Sequence, residues 1–258
     1  MGRLTDTIKH LIIINVILFA VPQFMQLNLA EYFALYFPKN ENFGIWQYVT
    51  HMFMHGSFMH IAFNMYALWA FGTPLEQMWG RNKFLFFYFS AGLGAAAIYT
   101  LVNYYQFNGI YQTLIENGVT GSQITEFFSI SSNTVEGFMA STESILKGST
   151  TLKSPVNIED VIEINRFYNS PAVGASGAVY GVLVAFGMSF PNAKLALIFF
   201  PIPVAAKYFI PLMLLGDLFF GVTNYSIGNI AHFAHIGGAI IGFIIAWSWK
   251  KNQFNRWN

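Results

Sequence analysis

Ser176 stands in Gly174-Ala175-Ser176-Gly177 at the mouth of an apolar segment running from Ala178 to Phe190, and His235 lies just inside a second apolar segment, Ile230 to Trp249. A serine hydroxyl is a weak nucleophile until a base takes its proton, and imidazole is the commonest side-chain base. Polar and ionisable groups are costly in hydrocarbon, so one placed inside an apolar segment is a candidate for function by default. The pair therefore suggests hydrolysis carried out within a bilayer.

The neighbouring spacings suit that chemistry. Ser176 and Tyr180 share one helix face, as do His60 and Asn64 on theirs. An amide such as Asn64 supplies a donor for the oxyanion of a tetrahedral intermediate. Gly177 with Gly181, and Gly238 with Gly242, form small-xxx-small steps that let membrane helices approach closely. A serine and a histidine on different helices need that approach to come within hydrogen-bond reach. His235 sits one turn before its glycine step, which makes it the better-placed base of the pair His232 and His235.

The elements that must position these groups follow from composition. The chain has 258 residues, 55% hydrophobic and only 10% charged, against roughly a quarter charged in ordinary globular chains. Six apolar segments are read, about 8–30, 51–73, 84–105, 174–190, 206–222 and 230–249. The first is expected to be a retained helix rather than a signal peptide, since no small-residue cleavage site follows it. Leu195 to Val204, interrupted by Pro201 and Pro203, is expected to lie along the membrane interface. The fold class is thus an all-α membrane protein, a single domain with a polar insertion at about 106–170 between the third and fourth spans.

Lysine and arginine placement sets the orientation. Arg3, Lys9, Arg81, Lys83, Lys194, Lys207, Lys250, Lys251 and Arg256 fall on one side, and Lys39, Lys147, Lys153 and Arg166 on the other. The positive-inside rule puts both termini in the cytoplasm, with the insertion outside. Spans two, four and six then run inward, and their outer halves carry His51, His55, His60, Asn64, Ser176, His232 and His235. Net charge +1, with no basic patch in the sequence, argues against a nucleic-acid partner. Zero cysteines remove disulfides, thiolate metal sites and cysteine nucleophiles together.

At these residues the chain resembles the rhomboid family of intramembrane serine proteases. The likeness rests on His55 with Met59-His60-Ile61-Ala62-Phe63-Asn64, on Gly174-Ala175-Ser176-Gly177 with Tyr180, on Ala234-His235-Ile236-Gly237-Gly238 with Gly242, and on Glu76 and Gly80. The resemblance implies a six-helix bundle and a Ser-His dyad without a catalytic carboxylate. Ser176 would be the nucleophile, His235 the general base and then acid, and His60 and Asn64 the side-chain parts of the oxyanion hole. Tyr180 would pack on His235, with Gly174, Gly177 and Gly238 in support. It further implies transmembrane segments of other proteins as substrates, cut near their extracytoplasmic ends in a cell membrane, with no cofactor or metal.

Two rival readings belong to other classes. His51, His55, His60, His232 and His235 can be read as a metal cluster or transport site, with His51 and His55 spaced i, i+4. An inactive relative that binds membrane proteins without cutting them is the other. A soluble esterase is excluded where its Gly-x-Ser-x-Gly elbow would need glycine, because residue 178 is Ala178. Asp217, an acid in the fifth segment, is read as a ligand for water or a cap for a neighbouring helix in preference to a triad member. Within the insertion, Leu114 to Glu116 and Asn157 to Tyr168 are expected to be short helices, the second capped by Asn157. Gly137 to Lys153 is expected to be the stretch most open to proteolysis.

Overall fold

The computed structural model describes residues 3–197, 200–223 and 231–254. Helices α1 (Asp6–Met25), α2 (Ala30–Phe33), α3 (Gln47–Thr50), α4 (Phe58–Ala67), α5 (Thr73–Trp79) and α6 (Arg81–Glu116) come first. They are followed by α7 (Gly121–Phe128), α8 (Val135–Leu146), α9 (Ile158–Asn169) and α10 (Ser176–Ser189), then strands β1 (Lys194–Leu197) and β2 (Phe200–Ala205), and finally α11 (Ala206–Val222) and α12 (His232–Phe254). The chain divides into two compact units: Met1–Leu35 with Ile45–Tyr99 and Ala172–Asn258, and Tyr36–Gly44 with Thr100–Pro171.

Among the described residues, three helices are long and apolar enough to cross a membrane: α1, α6 and His232–Lys251 of α12. The shorter α10 is also apolar. Side chains on the outer surface of these helices match that setting, with Ile13, Ile17, Phe24, Leu101, Phe243 and Trp247 exposed.

Segment two is not one continuous span. A 3-10 turn at His51–Phe53 is followed by an extended break, and α4 begins only after Ser57, whose hydroxyl accepts from the His60 N–H at 3.2 Å. Gly56-Ser57 is a start signal for a helix, because serine satisfies one of the orphan N–H groups of the first turn. His51 and His55 therefore share no helix face. Further on, Pro74 has no N–H for the carbonyl four residues back and its ring crowds that carbonyl. The backbone widens into a π-helical turn at Leu68–Gly72 before α5 resumes.

Other boundaries also differ from expectation. The third segment does not stop near 105; α6 continues unbroken to Glu116. Gly109 is the one helix-weakening residue there and costs about 1 kcal/mol, which the packing of Phe107, Leu114 and their neighbours overcomes. Leu195 to Val204 contributes to an antiparallel hairpin, with Lys194 opposite Ala205 and Leu197 opposite Phe200. A two-stranded sheet has only edges, where prolines cost no ladder hydrogen bond. Among the described residues the fold is thus helical with one small hairpin. Residues 198 and 199, and residue 230 at the start of the sixth expected segment, lie outside the described residues, as does Arg256.

The first unit is held together by close backbone approaches. A Cβ at Gly238 would stand 1.8 Å from the Gly177 carbonyl oxygen, and one at Gly242 would stand 2.6 Å from the Gly181 Cα. Gly177 and Gly181 in turn face Ala95 and Ala91 of α6. Glu76 of α5 anchors the start of α1: its carboxylate accepts from the N–H groups of Thr7 and Ile8, each at 3.2 Å, and from the Thr5 hydroxyl. A carboxylate at a helix N-terminus satisfies orphan donors and complements the helix dipole.

The second unit has its own apolar core of Phe37, Phe107, Leu114, Ile124, Phe127, Phe138, Val161 and Ile164. Its helices begin with side-chain caps. Thr120 forms a capping box with Gln123, Thr134 accepts from the Gly137 N–H, and Asn157 accepts from the Glu159 N–H. Residues 114–116 are the end of α6 and not a separate helix, whereas α9 forms with Asn157 as its cap, as expected. Helix α8 occupies Val135–Leu146 with Phe138 and Thr142 buried, so the open part of Gly137–Lys153 is the exposed turn at Lys147-Gly148.

Candidate active site

Ser176 is the first residue of α10, after Ala175 in a non-capping conformation and Gly174 at φ 117°. That φ lies in the left-handed region where glycine alone is unstrained. The Gly174 N–H donates to the His51 carbonyl at 2.9 Å, which fixes the approach to the helix. Glycine is also required for space: a Cβ there would lie 2.6 Å from His60 Nε2 and 3.7 Å from Ser176 Oγ. Gly174 thus lets the His60 ring reach the side of the serine. His60 also meets His55 edge to face, with centroids 5.1 Å apart.

His235 lies in the first turn of α12 and is buried. Its Nε2 is 2.9 Å from Ser176 Oγ. Tyr180, one turn after Ser176 on α10, lays its ring flat on the imidazole, with centroids 4.1 Å apart and planes at 12°. The contact between Gly177, next to Ser176, and Gly238, about a turn after His235, makes backbone approach and side-chain pairing parts of one helix crossing. Asn64 is buried on α4, one turn after His60.

The other nitrogen of His235 has a partner in the acid of the fifth segment, which the sequence alone suggests is a water ligand or helix cap. Asp217 of α11 places Oδ1 3.2 Å from His235 Nδ1 and 2.6 Å from His232 Nδ1. The Tyr180 hydroxyl lies beside the same carboxylate. All three of Asp217, His232 and His235 are buried. The available signal was an acid within an apolar segment, which the cost of burying charge already marks as functional or paired.

The five histidines once grouped as a metal cluster are divided. His51 is buried with Nδ1 2.8 Å from the Gln47 carbonyl of its own turn. Among the described residues the grouping with ligand spacing is Asp217, His232 and His235, whose donor atoms lie within 4.8 Å of one another. In this structure those donors bond one another.

Fold and site define a helical membrane-type protein that holds a serine, a histidine and a carboxylate in one hydrogen-bonded line. The sequence matches the Rhomboid domain over residues 42–133 and 161–252, and the chain belongs to the rhomboid family. It is 25% identical over 201 residues to Rhomboid protein 1, mitochondrial, of Saccharomyces cerevisiae, covering 77% of this chain and 40% of that protein. It is 26% identical over 218 residues to Rhomboid protease AarA of Providencia stuartii, covering 78% of this chain and 54% of the relative. A 48-residue stretch is 42% identical to Rhomboid protease GluP of Bacillus subtilis, 19% of this chain and 10% of that one. The matches thus cover about half or less of each relative.

Proposed function

We propose that this chain is an intramembrane serine endopeptidase that cuts transmembrane segments of other membrane proteins near their extracytoplasmic ends. The observation that carries the reading is the 2.9 Å hydrogen bond from Ser176 Oγ to His235 Nε2 across the crossing of α10 and α12. Ser176 Oγ attacks the scissile carbonyl carbon while its proton passes to His235 Nε2. The same proton then goes to the departing amine as the peptide C–N bond breaks, leaving an acyl ester on Ser176. Water, deprotonated by His235, hydrolyses the ester and regenerates the serine.

The developing oxyanion is held by donors at the start of α10, whose first-turn N–H groups have no acceptor within the helix, and by His60 and Asn64. At 1.5 Å rise per residue, a 14-residue α10 is about 21 Å long, shorter than about 30 Å of hydrocarbon. A helix that short sets Ser176 below the lipid headgroups yet near enough to the outer face for water to reach it. The chain is placed as one rhomboid-like membrane domain with six crossings and both termini cytoplasmic. Two of those crossings are the composite of α4 and α5, and α11. The second unit is then an extracytoplasmic insertion.

The test is incubation of detergent-purified protein with a single-pass transmembrane substrate, comparing the wild type with Ser176→Ala. Cleavage and fluorophosphonate labelling by the wild type alone are the expected results. Equal cleavage by folded Ser176→Ala protein would refute the reading.

A further inference from the structure

We propose that Asp217 is a positioning residue for the proposed hydrolysis, so that the working unit is Ser176-His235-Asp217 and not a dyad; the inference rests on the endopeptidase reading. An ionised carboxylate only accepts hydrogen bonds. The contact at 3.2 Å therefore requires the proton of His235 on Nδ1, which leaves Nε2 as the acceptor for the Ser176 hydroxyl. Without a partner at Nδ1 the imidazole can hold its proton on Nε2, the tautomer that cannot take a proton from serine. When Nε2 accepts the serine proton, the imidazolium formed is stabilised by the adjacent carboxylate, which itself takes no proton.

The surroundings of Asp217 suit that work. A buried carboxylate costs several kcal/mol unless its oxygens are engaged. Here His232 Nδ1 at 2.6 Å engages it, fixing it in place beside His235. Tyr180 holds the imidazole from another side, its ring stacked on that of His235. Three elements thus define the orientation of one ring: α10 through Tyr180, α11 through Asp217 and α12 through the histidine backbone. His232 acts one step further away, by holding the carboxylate.

The experiment compares wild type, Asp217→Asn, Asp217→Glu and His232→Phe on the single-pass substrate, with Ser176→Ala as the blank and thermal unfolding as the fold check. Asp217→Asn is expected to lower kcat on the order of 100-fold, with KM within about twofold, because the tautomer and not substrate binding is lost. Asp217→Glu is expected to recover part of that loss, and His232→Phe to lower kcat by about tenfold or less. The wild type should show a strongly downfield imidazole N–H proton in its NMR spectrum that disappears in His235→Ala. Should the Asp217 variants fail to fold, that proton decides: its absence from the wild type overturns the proposal. Wild-type kcat in folded Asp217→Asn also overturns it. Activity abolished by a chelator and restored by zinc would reassign Asp217, His232 and His235 to metal ligation and overturn it as well. If the wild type itself does not cleave or label at Ser176, the endopeptidase reading fails, whatever the Asp217 variants do.

Discussion

The two units of this chain differ in how closely their helices approach one another. In the first, helices meet through Gly177, Gly181, Gly238 and Gly242, where backbone lies on backbone. Its core combines small residues at the crossings, such as Ala91, Ala178 and Ala239, with large ones such as Phe84, Phe87 and Tyr88. In the second, large side chains such as Phe107, Phe127 and Ile164 fill the core, and helix ends are closed by Thr120, Thr134 and Asn157. Asn165 adds to this by donating to the carbonyls of Phe127 at 2.7 Å and Ile130 at 3.0 Å, where α7 ends. Where lipid replaces water, apolar burial gives little drive to helix association, so close contact and hydrogen bonds must supply it. In water, burial of large apolar side chains does that work and polar caps satisfy the helix ends.

That contrast has consequences that mutation can break or sharpen. The largest effect is expected in the first unit at the chemistry itself: Ser176→Ala and His235→Ala should each lower turnover by about 10,000-fold or more. The double mutant should be no worse than either, since the two act as a unit. A double mutant far less active than both singles would show that they work independently. Next, Phe127→Ala in the second unit should cost about 3 to 5 kcal/mol of that unit's stability, read by hydrogen exchange in α7 and α9. Fluorophosphonate labelling at Ser176 should persist, and its loss would break the division into two cores.

Gly238→Val tests the close backbone approach. A branched side chain has no room against the Gly177 carbonyl, and displacement of His235 by about an ångström should cost on the order of 100-fold in turnover. Normal kcat in that variant would mean the crossing tolerates more space than its geometry suggests. Asn64→Ala should lower kcat by about 10- to 100-fold with backbone donors still in place, measured as kcat against KM. An effect on KM alone would move Asn64 from the oxyanion to substrate binding. Smallest is Thr120→Ala, about 1 kcal/mol in the unfolding of the second unit with no change in cleavage.

The sequence was most legible where one physical rule acts alone. Asn157 before an apolar periodic stretch marked α9, and the helix has that cap. The capping pair Thr120 and Gln123 was equally readable and was passed over, because the surrounding polar composition reads as loop. The break before α4 and the π turn before α5 were written in Gly56-Ser57 and Pro74, but a mean hydropathy that stays high across them hides both. The run of α6 to Glu116 was obscured for the converse reason. Polarity rises after Tyr105 while the helical spacing of Phe107, Tyr111 and Leu114 continues.

By itself the sequence determined the residue types and their order: a serine among glycines, a histidine one turn before a glycine step, apolar stretches long enough to need a bilayer, and a polar insertion. These are local properties, carried by neighbours within a turn or two of helix. Tertiary structure alone decided which groups meet. Ser176 and His235 are 59 positions apart, and Asp217 lies 18 before His235, so no periodicity relates them. Only the crossing of α10 with α12, and the placement of α11 beside it, makes a carboxylate face Nδ1 while the serine faces Nε2.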